Sequence, residues 1–253
     1  MDLIEQSYIF TDRELLILLA TSGIECIYGF ELPKEDDVTR EEMIHSLHSL
    51  ISKKFLISGN IPGKPYDLGE QIYPLFSIIK NAECTIEAVS PDDERQMIFY
   101  KAGDSFTMIE REEKFNDKEE DRFRLRTVTA PEFEDLLSDM PSSFGAENLL
   151  KEEEAQKYLK ISPEVYETGQ NLLNGRVPIS EPAHDFLSDT YPYHEEFKGY
   201  IELKHENKAR CLRFVIMEQG VYKYIIFDDD VNAEINIYTE EKQSQLISQL
   251  LNM

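Results

Sequence analysis

The chain contains no tryptophan and only three cysteines in 253 residues. Cys26, Cys84 and Cys211 are odd in number and far apart, which excludes both a disulfide framework and a Cys-based metal motif. Reduced thiols and a cytoplasmic location are the expectation. Basic residues are also scarce, with 26 Lys and Arg against 50 Asp and Glu and a formal charge of -24. Phosphate backbones and anionic lipid surfaces are therefore poor partners, and solubility and protein–protein association are favoured. The longest aliphatic run, Leu15 to Ala20, is too short to span a bilayer. The N-terminal Met-Asp-Leu-Ile-Glu-Gln lacks the basic start and apolar core of a signal peptide, so no ordinary export signal is expected.

Catalytic signatures are missing as well. The sequence has no Gly-x-Ser-x-Gly elbow, no Walker loop and no dinucleotide fingerprint, since Gly59, Gly63 and Gly69 are wrongly spaced. His45 and His48, with Glu41 a turn earlier, could share a helical face around a metal, but apolar positions interleave with them and no further ligand cluster is evident. Asp228-Asp-Asp230 lacks the central glycine and closing glutamate of a calcium loop and reads as a solvated turn. The expectation is a protein that is not an enzyme, with no catalytic, cofactor or metal residues.

What is present is aromatic and patterned. Fourteen Phe, thirteen Tyr and a 41% hydrophobic fraction indicate a folded chain. Thr11-Asp-Arg-Glu14 and Thr39-Arg-Glu-Glu42 are capping boxes, each opening an amphipathic helix. Gly23 suits the left-handed end of the first helix. A short strand, Phe55–Ile57, follows the second helix, with turns at Ser58-Gly-Asn60 and Pro62-Gly63. A third helix is expected over 68–81, with Pro74 bending its early part. Helix, helix, strand and Gly-rich wing form a winged-helix-like unit. The second helix offers Glu41, Glu42, His45 and Ser49 where a DNA reader would carry Arg and Lys, so a structural use is favoured.

From Cys84 the period changes to two residues. Strands are expected at 84–89, 96–100, 106–110 and 123–129, with an acidic loop at 112–121 and a closing helix ending near Met140. Pro141-Ser-Ser-Phe-Gly145 reads as a linker. Helices at 148–160, from Ser162 to Asn174 and from Ser180 follow, then strands at 199–203, 211–217, 222–227 and 233–239. The last strand again runs into a helix. Thr129 and Thr239 head the two strand–helix junctions, each followed by acidic residues suited to a helix's first turn. The fold class expected is therefore α+β, a pseudo-two-fold repeat of a winged-helix-like unit, an antiparallel meander and a closing helix. Its halves, 1–141 and 146–253, would be packed as one globular unit.

The stretch Thr11 to Gly23, and the helix Glu41 to Ser52 followed by Lys54-Phe-Leu-Ile57, resemble the opening of EspG-like proteins of type VII secretion systems. The doubled order of helices, sheet and closing helix is similar to that family's pseudo-symmetric fold. The resemblance implies a cytoplasmic, non-enzymatic chaperone or adaptor that binds a small helical secretion substrate, without nucleic acid, membrane insertion or cofactor. Contact residues are chosen from aromatic and Met positions expected to be exposed on the meanders: Phe106, Met108, Phe115 in the acidic loop, Tyr222 and Tyr224. The alternatives are a winged-helix transcriptional regulator, another acidic protein-interaction module, or a hydrolase or metal enzyme.

Overall fold

A computed structural model describes residues 7–34, 37–61, 63–90, 94–112, 121–140, 194–205, 208–217, 222–228 and 233–252. They fall into two compact units, one drawn from Met1–Thr85 and Gln96–Phe133, the other from Ile86–Arg95 and Glu134–Met253.

In the first unit the chain opens with β1 (Ser7–Thr11), α1 (Asp12–Ser22) and α2 (Arg40–Ser52). Both capping boxes form: Thr11 and Thr39 each accept from the backbone N–H three residues on, and Glu14 and Glu42 reach back to the cap's own N–H. Gly23 ends α1 in the left-handed conformation, with φ of 69°. β2 (Leu56–Ile61) and β3 (Lys64–Leu68) form a separate antiparallel hairpin, followed by α3 (Tyr73–Lys80). This corrects the expectation of a single helix over 68–81. Tyr66 and Leu68 pair with Ser58 and Leu56 in the hairpin, and Pro74 sits at the first turn of α3, where its missing N–H costs nothing. Ser58, Gly59 and Asn60 lie within β2, not in a turn, at a register irregularity.

The strands β5 (Arg95–Ala102), β6 (Ser105–Arg111) and β7 (Arg122–Val128) are antiparallel and in the order β1-β7-β6-β5. Alternation along Arg122-Phe-Arg-Leu-Arg126 sends Phe123 and Leu125 to one face, where they join Phe10, Ile98, Tyr100 and Ile109 under α1 and α3. The opposite face is also covered. Phe133 of α4 (Ala130–Ser138) stacks on Phe106 at 4.4 Å and meets Phe99 edge-on at 4.9 Å. That two-sided burial is why Met97-Ile-Phe-Tyr100 is an unbroken apolar run, all of it buried.

The second unit holds β4 (Cys84–Ser90), whose first two residues belong to the first unit, then β8 (His194–His205), β9 (Lys208–Met217), β10 (Tyr222–Asp228) and β11 (Ala233–Ile237). β8 through β11 form an antiparallel meander, and α5 (Glu240–Leu251) closes the chain. Leu246, Ile247 and Leu250 of α5 are buried, as are Ile201, Leu203, Leu212, Phe214, Ile225 and Phe227 on the strands. Gln243 donates through Nε2 to the carbonyls of Ser138 and Met140, at 2.9 and 3.0 Å. At Gly199 a Cβ would stand 2.2 Å from the Val89 carbonyl oxygen, so only glycine fits where β8 passes β4.

Both strand–helix junctions have the expected chemistry. Thr129 Oγ1 accepts from Glu132 N–H at 3.4 Å, and Thr239 Oγ1 accepts from Lys242 N–H at 3.0 Å. The linker at 141–145 and the helices expected at 148–160, 162–174 and from Ser180 lie outside the described residues.

Candidate functional site

A concavity of the first unit lies between β1 and α2. It has a volume of about 520 Å³ and is lined by Ile9 and Thr11 of β1, Arg13 and Glu14 of α1, six residues of α2 and its end, and Arg122 of β7. The α2 contributors are Glu41, Glu42, His45, Ser46, Ser49 and Lys53, whose spacing of three, four and seven keeps them on one helical face.

Polar links fix the walls. The Glu14 carboxylate is nearly buried and fully engaged. Oε2 accepts from Thr11 N–H at 3.2 Å, while Oε1 accepts from Ser49 Oγ at 2.6 Å and Lys53 Nζ at 2.9 Å. Arg13 donates through Nη2 to Glu42 Oε1 at 2.9 Å. The Thr39 hydroxyl and N–H, with Arg13 nearby, hold the Glu42 carboxyl below the usual carboxylate range. The first turn of α1 is thus fastened to α2 along most of its length.

At the groove's open side the chemistry differs. Ile9 is 45% exposed at the middle of β1, and Arg122, paired in register with Thr11, is exposed. Among the described residues Arg122 has no ion pair, while its neighbours on the same strand do: Arg124 binds Glu112 and Arg126 binds Glu132. β1 has a strand neighbour on one edge only, β7, among the described residues.

The sequence placed the partner contacts elsewhere. Phe106 and Met108 were expected to be exposed, and they are 5% and 1% exposed. Their side of β6 lies under α4, with Phe106 stacked on Phe133. Tyr222 and Tyr224 lie on β10, in register with Met217 and Val215 of β9. Phe115 lies outside the described residues. His45 lines the groove and His48 is exposed one turn further along α2; among the described residues no three His, Cys, Asp or Glu side chains gather as a metal would require. The exposed face of α2 carries Ile44 and Ile51 beside Glu41, an arrangement unsuited to a phosphate backbone. Sequence reasoning missed the groove because β1 was not read as a strand. Its signal was there: Ser7-Tyr-Ile-Phe-Thr11 is uncharged and rich in strand-forming residues directly before a helix cap.

No family model and no curated protein matches the sequence. Among solved structures, the type VII secretion system chaperone EspG5 of Mycobacterium tuberculosis, determined in complex with the PE25–PPE41 dimer, superimposes with a TM-score of 0.54. The superposition covers 98% of this chain and 96% of that one at 10% identity. The two share a fold. The 12:0-ACP thioesterase from Umbellularia californica reaches a TM-score of only 0.19 at 9% identity, over 92% of this chain and 96% of that one. That is no structural match. No helix among the described residues is long and apolar enough to cross a membrane.

Proposed function

We propose that this protein is a cytoplasmic, non-enzymatic chaperone or adaptor that binds a helical substrate of a type VII secretion system and keeps it soluble. The observation that carries the reading is the agreement of nearly the whole chain with the EspG5 fold. The acidic surface supports it, because a body carrying -24 lends solubility to an aggregation-prone cargo bound to it. Phe115, Tyr222 and Tyr224 are the proposed contact residues. Phe106 and Met108 are less suited, since using them would require α4 to leave the sheet.

The test is co-expression with small helical proteins encoded beside this one. A stable one-to-one complex, with the partner aggregating when produced alone, is the expected result. Neighbouring products that stay unbound, in a locus with no secretion ATPase, would remove the proposal.

A further inference from the structure

In a chain carrying -24, the groove between β1 and α2 is charge-balanced: Glu14, Glu41 and Glu42 line it against Arg13, Lys53 and Arg122. Two of the opposite pairs are already made, Lys53 with Glu14 and Arg13 with Glu42. Glu41 and Arg122 remain, one of each sign, and neither makes an ion pair with the other or with any described residue. Ser46 lines the same groove at 6% exposure, and its hydroxyl has no partner among the described residues. Hydroxyls buried to that degree are ordinarily hydrogen-bonded, so the partner of this one comes from what the groove holds. His45 stands one helical turn from Glu41, and Ile9 offers an aliphatic surface. Thr11 and Arg122 are in register and Ile9 is two residues from Thr11, so all three stand on the face of the sheet opposite Phe10 and Phe123 of the core. The site is thus built from side chains of a sheet face and a helix face, and makes no demand on the backbone edge of β1.

That set of groups selects among ligands. A bare anion would meet three carboxylates, and a bare cation three basic side chains. A purely apolar molecule would cover Glu41 and Arg122 without pairing them, at the cost of desolvating two charges. A molecule with one charge of each sign satisfies both, and, having no net charge, is not turned away by the field of the acidic chain. We propose that the groove binds a small zwitterion, an aliphatic amino acid or a dipeptide of such residues. Its carboxylate pairs with Arg122, its ammonium pairs with Glu41, and its side chain lies on Ile9. Ser46 and His45 hydrogen-bond its polar ends. The volume of about 520 Å³ falls within the range of about 300–1,000 Å³ typical of ligand sites. The inference does not rest on the secretion reading, and cargo binding and zwitterion binding can each fail without the other.

The experiment is titration calorimetry of the full-length protein with leucine and with leucyl-leucine. Each is also tested as its N-acetyl derivative, which lacks the ammonium, and as its C-terminal amide, which lacks the carboxylate. At least one zwitterion should bind, about tenfold or more tightly than either of its derivatives. Binding of leucine alone would mark the ligand as a free amino acid, and of leucyl-leucine alone as a peptide; either supports the site. Glu41→Gln should weaken the zwitterion about tenfold or more and leave its N-acetyl form unchanged. Arg122→Gln should weaken the zwitterion to a similar degree and leave its amide unchanged. Ser46→Ala should weaken it by a smaller factor. Glu41 and Arg122 are exposed, so both charge variants should keep the parent's melting temperature. No binding of either zwitterion at millimolar concentration, equal binding of the derivatives, or charge variants that bind as the parent does would each overturn the proposal.

Discussion

Gln243 lies in a helix whose buried positions otherwise carry Leu and Ile, and its amide satisfies two carbonyls at the end of α4 and just past it. Gln243→Leu fills similar space and strands both carbonyls, so it should cost about 1–3 kcal/mol in urea unfolding. Gly199→Ala should do at least as much harm, because its methyl meets a backbone oxygen that cannot give way. The thiols differ in reach. Cys26 is exposed, burial raises the Cys84 thiol's pKa, and Cys211 is buried. Titration with a disulfide reagent should therefore modify Cys26 first, Cys84 slowly, and Cys211 only on unfolding. Glu42 carries a pH signature. Its folded pKa is depressed, so its contribution is present above the usual Glu value of about 4.3 and is lost as pH falls through the lower folded value. The stability gap between the protein and Glu42→Gln should accordingly be open at neutral pH and close below about pH 4. A gap unchanged down to strongly acid pH would contradict the assignment.

At the scale of elements, Phe133 is the ring through which α4 meets β5 and β6. Phe133 is 2% exposed and touches Phe99 and Phe106, so Phe133→Ala should cost about 3–5 kcal/mol and loosen α4 from β5 and β6. A loss below about 1 kcal/mol would show that α4 is anchored some other way. Helix starts were legible in the sequence because capping is local: the side chain of Thr11, Thr39 or Thr239 and its target N–H lie three residues apart. The meanders were legible for the same reason, as alternation needs only the strand itself. β1 and β3 were not. Five residues are too few for a period to declare itself, and Pro74 fits a helix interior poorly but a helix start well. The side of a strand that meets solvent was not legible either. Phe106 and Met108 alternate correctly, yet burial on both faces depends on α4, which only tertiary packing reveals. The unbroken run Met97-Ile-Phe-Tyr100 was the clue to it. The groove combines Ile9, Ser49 and Arg122, residues no local pattern joins.

Taken whole, the molecule is a polyanion whose like charges oppose compaction. Raising ionic strength from about 0.01 M to about 1 M shortens the screening length from ~30 to ~3 Å, and should raise the melting temperature. A fall over that range would mean that specific ion pairs, such as Lys53 with Glu14, outweigh the net repulsion. The same charge bears on the uncharged strand Ser7–Thr11. Two copies approaching through it must bring -24 against -24, and long-range repulsion thins out their encounters before any backbone group is in reach. Contact between copies through this strand should therefore be rare at low ionic strength and become more frequent as salt rises.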